Sequence, residues 1–375
     1  MSLLARLRRS SAEPDATPRP AEPGPIGLDI GTTHLHLCQL RPREDRRYTI
    51  QAKYSQPFDG ERQQLIEDPR RFRQLIRDTL RHKPFVDRRV CACVPAEQLR
   101  ILPISYKAQS ARPERDILEQ VEQRLKRKAS ELVVDYLPLR QHSADDEHLV
   151  LASAVDREHV DSLLGLLDQA GLDPVALDIG PAAIKRLVSV LNQQQKGPAH
   201  ALVVNTGSRK SYITFVSGRR LLLDQAVDFS SQALLDELSA ELQLPPGKVL
   251  ELIRQHGLDP RRAAMAGSAE IAATLREIVK PAFLRLNEEI QRVLLYTAAE
   301  TRGQGLSRLD LLGSVARWPG AWQLLVDLLG LELPDPEEDF RHSFVDDDDH
   351  TEPWINQLSE MAIATGLALR GIDGE

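Results

Sequence analysis

The alternation of apolar and polar positions predicts a β-hairpin near the start of the folded part of the chain. In residues 27–38 an apolar run leads to a polar tip, after which apolar residues return at every second position. A period of two is typical of a strand. The tip contains one acid, one glycine and two hydroxyl residues: Asp29, Gly31, Thr32 and Thr33. Because Gly31 permits a tight turn and consecutive backbone N–H groups form an anion-binding concavity, such a turn can hold a phosphate.

The same order of positions returns in the second half of the chain. Residues 201–216 contain an apolar run, Asn205, a tip with Gly207 and Ser208, and another alternating strand. A third predicted strand covers residues 219–225. Two such hairpins, one opening each half, indicate a duplicated unit with a site between the copies.

A third glycine-containing element follows the strand-like residues 309–312, where Gly313 and Ser314 precede a predicted helix. The three elements together resemble the two phosphate hairpins and the adenosine loop of the actin-like ATPase superfamily. Within it the chain is similar to the PilM-type proteins of type IV pilus assembly, over about residues 26–371, and to relatives such as those of the MSHA pilus. Further segments carry the resemblance by their order and spacing: residues 150–170, 171–178, 242–245 and 362–371.

The resemblance implies an α/β fold of the actin-like, duplicated ribonuclease H-like type, with two domains and an inserted subdomain of the kind found in PilM and FtsA. A helix that begins at the Asp68-Pro69 pair and one from Ser268 to Thr301, which Pro281 should kink or divide, are predicted from periodicity. The last helix is predicted at about 352–369. The predicted divisions are a disordered leader at 1–25, a first domain at 26–98 and 176–198, the inserted subdomain at 99–175, and a second domain at 199–375 with a helical subdomain at 235–307.

Composition narrows the class of protein. Hydrophobic residues make up 42% and charged residues 27% of the chain, which is typical of a soluble globular protein. A net charge of −7 argues against general nucleic-acid binding. The three cysteines are expected to be reduced, buried thiols. The leader begins with a short basic amphipathic turn that we expect to be frayed, and the acidic run at 346–349 is expected to be a solvated loop and not a calcium site.

The resemblance also implies where ATP and Mg²⁺ would bind. The cofactor-binding positions are Asp29, Gly31, Thr32, Thr33, His36, Asn205, Gly207, Ser208, Gly313 and Ser314. Asp29 and Asn205 would lie on the side of the magnesium ion.

Several of these positions depart from the family pattern. Asn205 carries no charge where the family has an acid, and His36 replaces a lysine and is uncharged for most of the time near neutral pH. Gly180 or Pro181 stands where a side chain would position water, and Phe229, in place of a glycine, is expected to fill the space of a phosphate or ribose. We therefore expect a degenerate nucleotide site without catalytic residues, in which hydrolysis is not expected.

The function that follows is a cytoplasmic assembly scaffold, associated with the inner membrane through a partner. The resemblance implies that the inserted subdomain and the adjoining first-domain surface bind the N-terminal tail of a PilN-like membrane protein. Two alternatives stay open: an active ATP-binding and ATP-hydrolysing protein whose domain closure regulates pilus assembly, and an FtsA-like filament former that self-associates. A sugar or acetate kinase is least favoured, because no catalytic base follows the loops at a recognisable spacing.

Overall fold

The computed structural model of the protein describes residues 21–140, 147–194, 199–262, 267–301, 303–333, 336–346 and 355–373. The strands, in chain order, are β1 (Ile26–Ile30), β2 (His34–Pro42), β3 (Tyr48–Pro57), β4 (Arg89–Cys93), β5 (Arg100–Lys107), β6 (Leu132–Arg140), β7 (Glu147–Asp156), β8 (Asp173–Asp178), β9 (His200–Thr206), β10 (Ser211–Ser217), β11 (Arg220–Val227), β12 (Arg308–Gly313) and β13 (Phe344–Val345). The helices are α1 (Arg62–Ile66), α2 (Pro69–His82), α3 (Pro113–Leu125), α4 (Arg157–Gln169), α5 (Gly180–Leu191), α6 (Ser231–Leu242), α7 (Pro246–His256), α8 (Ser268–Thr297), α9 (Ala321–Leu329), α10 (Pro336–Ser343), α11 (Ile355–Glu360) and α12 (Ala362–Asp373). The amphipathic turn predicted near residue 1 and the acidic residues 347–349 lie outside the described residues.

The first sheet has six strands in the order β13-β3-β2-β1-β4-β8. β1, β2 and β3 are antiparallel neighbours, whereas β4 pairs with β1, and β8 with β4, in parallel. One face packs on α2 and α4, through Phe72 and Leu167 among others. The other face lies under α5 and α12, where Ala183 and Leu367 pack against β4. Helices on both faces are what a mixed sheet with buried central strands needs.

The second sheet has the order β11-β10-β9-β12 and repeats the hairpin-plus-parallel-strand arrangement of the first. The period-two pattern of β9 decides which core each side chain enters. Leu202 and Val204 lie in the core formed with α6 to α9, and Ala201 and Val203 lie in the core formed with α5. The predicted strands at 201–216, 219–225 and 309–312 are confirmed in position.

A third, three-stranded sheet of order β5-β7-β6 lies within the segment predicted as an inserted subdomain. α3 covers one face of it through Ile117 and Val121, and Leu151 on the other face joins the core around α5. β5 was not predicted from the sequence. α4 and the first residues of β8 also fall within residues 99–175, yet both elements pack with the six-stranded sheet. The exact division of the chain into domains stays a prediction.

Two local predictions differ from the structure. Pro281 does not divide α8, which runs unbroken for 30 residues; Ala282 and Phe283 beside it are buried and hold both halves of the helix in the core. The last helix is interrupted at Met361, between α11 and α12. Asp156 stands at the N-cap position of α4 without a side-chain capping bond, and its carboxylate pairs with Arg127.

The three cysteines lie in β2 and β4 and are buried and free, as predicted. Burial raises the pKa of Cys38 to about 12 and that of Cys91 to about 11. These thiols are therefore neutral and poorly reactive at physiological pH. Within the described ranges, no three His, Cys, Asp or Glu side chains come together as a metal site would require.

Candidate functional site: a cleft between two hairpins and a groove beside α4

The first hairpin forms a tight turn between β1 and β2. The N–H of Gly31 donates to the carbonyl of His34 over 2.9 Å, and a Cβ on Gly31 would lie 2.8 Å from that same oxygen. Only glycine fits this turn. Thr32 is half-buried and Thr33 is exposed, and the Thr33 hydroxyl is hydrogen-bonded to His34 Nδ1 over 2.9 Å.

Asp29 and His36 face each other in register across this hairpin. Burial raises the pKa of Asp29 to about 6, and the positive charge of Arg62 opposes this rise. Burial also lowers the pKa of His36 to about 3, with smaller contributions from His34 and Arg317. The His36 ring stacks on His34 at 5.9 Å, and its Nδ1 has no hydrogen-bond partner among the described residues. His36 is therefore a neutral imidazole at the position where the resemblance implies a lysine.

Arg62 of α1 is a residue of the cleft that the sequence analysis missed. Its Nη1 donates to the carbonyl of Ile30 over 2.9 Å, and its Nη2 pairs with Glu97. A guanidinium group therefore lies directly beneath the hairpin and next to Asp29. The sequence offered little signal for it, because Arg62 lies 32 residues after Ile30, in a short polar helix.

The second hairpin and the third loop come together at the ends of β9 and β12. Asn205 pairs in register with Leu312, and Gly313 with Thr206. Gly313 has a φ of +83°, and a Cβ there would lie 2.0 Å from the carbonyl oxygen of Thr206 and 2.9 Å from Asn205 Oδ1. The Ser314 N–H donates to the same Thr206 carbonyl over 2.8 Å. The close approach of these two loops requires a glycine at this position.

The tip of the second hairpin is already hydrogen-bonded to α6. The N–H groups of Ser231 and Gln232 donate to the carbonyls of Gly207 and Ser208 over 3.1 and 3.0 Å. A Cβ on Gly207 would lie 2.3 Å from the carbonyl of Lys210, so this turn is as tight as the first. The first N–H groups of α6 therefore donate to carbonyls of the protein's own second hairpin.

Phe229 does not enter the cleft, which corrects the expectation that it fills ligand space. Its ring is 5% exposed and packs edge-on against Phe283 of α8 at a centroid distance of 5.2 Å. The prediction failed because the position after the second hairpin faces the core of helices α6 to α9. Pro181, at the start of α5, is buried and offers no polar group to a water molecule.

These side chains do not make a good magnesium–nucleotide site. Asp29 has a raised pKa and a guanidinium group beside it, His36 is neutral, and Asn205 carries no charge. A divalent cation is held by oxygen ligands that are mostly ionised carboxylates or phosphates. The structure does place the predicted residues in two groups, one at each hairpin, with the third loop beside the second hairpin.

A groove of about 900 Å³ lies where α4 meets the segment between α3 and β6 and the junction of α1 and α2. Ile66 and Pro69, at the junction of α1 and α2, form one wall, and Arg127 and Glu131, after α3, form another. α4 supplies the floor with one polar helical face, made up of Glu158, Asp161, Ser162, Gly165 and Gln169.

Hydrogen bonds and ion pairs hold the wall at Arg127 and Glu131 against the start of α4. Arg127 pairs with Glu131 at 2.9 Å and with Asp156 at 3.2 Å. Arg157, the first residue of α4, donates to the carbonyls of Ser130 and Leu132 over 3.1 and 3.0 Å. The groove is therefore formed before any partner binds.

The sequence matches, over residues 27–372, the family described as type IV pilus assembly protein PilM. No curated protein matches it. Among solved structures, a PilM-PilN type IV pilus biogenesis complex is similar, with 22% identity and a TM-score of 0.70 over 93% of this chain and 98% of that one. Ethanolamine utilization protein EutJ from Carboxydothermus hydrogenoformans has 13% identity and a TM-score of 0.52, covering 93% of this chain and 91% of its own. MreB 5 of Spiroplasma citri bound to AMPPNP has 9% identity and a TM-score of 0.52, and the match covers 94% of this chain and 96% of that one. The similarities confirm the predicted actin-like ATPase fold.

Proposed function

Because the chain belongs to the PilM family of type IV pilus assembly proteins, we propose that it is a scaffold that docks a PilN-like protein and does not hydrolyse ATP. The observation that carries this proposal is the preformed groove beside α4, at the junction of the inserted sheet and the first domain. One solved relative is itself a complex of PilM with PilN. We assign the groove to the N-terminal tail of the PilN-like partner.

Addition of a peptide strand to the edge of β5 is a less suitable way to bind such a tail. The carbonyls of Pro103 and Ser105 already accept hydrogen bonds from Arg124 and Gln120 of α3, both over 2.6 Å. Pro103 has no N–H to donate. Since strand addition depends on free backbone groups along an edge, the protected edge of β5 favours the groove.

The cleft between the hairpins supports the second half of the proposal, a degenerate nucleotide site. Hydrolysis would need ionised groups for Mg²⁺ and a residue that orients the attacking water. Arg62 beside Asp29, the neutral His36 and the apolar start of α5 at Pro181 do not supply them. In this proposal the cleft keeps the two domains in a fixed relation, and partner binding carries the function.

The proposed location follows from the partner. Among the residues that the structure describes, no helix is both long and apolar enough to cross a membrane. A protein that captures the tail of an inner-membrane protein would work on the cytoplasmic face and be held there by that partner.

The direct test is a titration of the full chain with a labelled synthetic peptide that carries the N-terminal cytoplasmic tail of the PilN-like protein from the same pilus system. Ser162→Trp would fill the groove and is expected to abolish binding. The matched control, Asp168→Trp, alters the same helix at an exposed residue outside the groove. Equal binding by both variants, or none by the natural protein, would contradict the proposal.

ATP binding is the second candidate function, and it is favoured by the MreB 5 relative, which was solved with AMPPNP. A ligand at 100 times its dissociation constant stabilises the folded state by about 2.7 kcal/mol. We expect millimolar ATP with Mg²⁺ to leave the melting temperature of the natural protein unchanged. A clear increase would contradict the degenerate site, and an increase only in Asn205→Asp would show that one missing carboxylate is its cause.

A further inference from the structure

Gly165 is a helical glycine that the rest of the chain does not require. It lies in the interior of α4, at the floor of the groove, and its φ is not in the left-handed region. A Cβ added there would meet no atom within 4 Å. Gly366 of α12 is different, since a Cβ on it would lie 2.0 Å from the carbonyl oxygen of Ala183. Close packing explains Gly366, whereas nothing within the chain explains Gly165.

Glycine inside a helix destabilises it relative to alanine, because glycine loses more backbone entropy on folding. In α4 this destabilising glycine lies on the face that forms the groove floor. The opposite face of the helix is buried through Leu163 and Leu167. The missing side chain leaves room at the floor of the groove and exposes the helix backbone there. Such room allows the backbone of another chain to come close to α4.

Asp161 lies one turn before Gly165 on the same face of α4. Its carboxylate is exposed and has no ion pair among the residues with described positions. The other carboxylates of the nearby wall, Glu131 and Asp156, are already paired with Arg127. Asp161 is therefore available to a positively charged group that enters the groove.

Building on the proposed function, we propose that the backbone of an extended partner segment crosses α4 in contact with Gly165, and that a basic residue of this segment pairs with Asp161. The groove then selects a partner by shape at one point and by charge at the next. Gly165 is a specificity-determining position of this site, kept without a side chain at the expense of helix stability.

The test compares binding with stability in the full chain, using the same labelled PilN-like tail peptide. Gly165→Ala should raise the melting temperature slightly and yet weaken peptide binding, and Gly165→Leu should weaken binding about tenfold or more, as expected for overpacking of a contact. Gly247→Ala controls for the added methyl group, because Gly247, in the first turn of α7 and outside the groove, also has no atom within 4 Å of its Cβ position. This control should bind like the natural protein.

The charge is tested separately. Asp161→Asn should weaken binding about threefold at low salt, with the difference disappearing at high salt. If the natural protein binds the peptide and Gly165→Leu binds it equally well, the contact at Gly165 is refuted while the docking function stands. If the natural protein does not bind the peptide at all, the proposed function fails and this inference fails with it.

Discussion

Arg209 and Glu61 form an ion pair across the cleft, with Arg209 Nη2 2.6 Å from Glu61 Oε1. Arg209 is at the tip of the second hairpin, and Glu61 is the N-cap residue of α1. The hydrogen bond from Arg209 lowers the pKa of Glu61. A second pair, Arg317 with Glu360 at 3.2 Å, joins the loop after β12 to α11. Ion pairs between residues distant in sequence thus connect the elements around the cleft.

Removal of the Arg209–Glu61 pair should loosen the cleft without unfolding the protein. Both side chains are more than half exposed, so Glu61→Gln is expected to leave the melting temperature unchanged. Hydrogen exchange at residues 207–210 should become faster, and the natural protein in 1 M NaCl should approach the same rates because salt screens exposed pairs.

The control for this experiment is Glu119→Gln, which removes an equally exposed pair with Arg115 in α3, away from the cleft. It should leave exchange at residues 207–210 unaltered. If the Glu61 variant exchanges like this control, the pair does not hold the cleft.

Much of the fold could be predicted from the sequence because both hairpins combine a period of two with a glycine tip. Gly31 and Gly313 are needed by close backbone approaches, and glycines of this kind are visible in a sequence as interruptions of apolar runs. Arg62 could not be predicted, since its place beside Asp29 depends on how α1 packs after β3. Phe229 was misplaced for a related reason: the sequence gives its position after a strand but not which core its ring enters.

The groove was expected only in outline. The resemblance pointed to the inserted subdomain and the adjoining surface, and the structure locates a groove there. Its floor is formed by α4, which the sequence analysis assigned to the inserted segment but which packs on the six-stranded sheet. Packing between elements far apart in sequence cannot be derived from local periodicity, so the residues of the floor became apparent only in three dimensions.

His36 should make the protein sensitive to acid. Its pKa is about 3 in the folded state, below the ordinary value of 6.5, because it is buried and lies near positive charges. The stability that the neutral ring contributes is fully present above pH 6.5 and is lost as pH falls toward 3. At pH 5 the loss amounts to about 2 kcal/mol. His36→Gln should therefore lose less stability between pH 7 and pH 5.

Urea unfolding at pH 7 and pH 5 measures this difference. The exposed His159 provides the control, since His159→Gln leaves the buried ring in place. The interpretation is wrong if the His36 and His159 variants lose stability on acidification to the same extent as the natural protein.

Asp224 should have the opposite pH dependence. Burial raises its pKa to about 6, although the Thr214 hydroxyl, which donates to its Oδ1 over 2.7 Å, partly opposes this. The folded state therefore binds the proton more tightly than the unfolded chain, and stability falls as pH rises from about 4 through 6. Asp224→Asn keeps an oxygen that can accept the hydrogen bond from Thr214. This substitution should raise the free energy of unfolding by on the order of 2 kcal/mol at pH 7 and by little at pH 4. The exposed Asp236, changed to Asn, should give no such pH-dependent gain, and an equal gain there would contradict the argument.

Gly313 is expected to be the most sensitive glycine of the cleft. Its φ is +83°, and a Cβ would lie 2.0 Å from the Thr206 carbonyl, which also accepts hydrogen bonds from the Ser314 N–H and hydroxyl. Gly313→Ala must therefore push β9 and β12 apart at their ends, which should lower the free energy of unfolding by about 3 kcal/mol or more.

Gly218→Ala separates backbone strain from crowding, because Gly218 has a φ of +59° but no atom within 4 Å of its Cβ position. Gly218→Ala should lower the free energy of unfolding by only about 1 kcal/mol. Equal losses in both variants, measured by urea unfolding, would mean that backbone strain alone and not the contact between the two loops sets the requirement for Gly313.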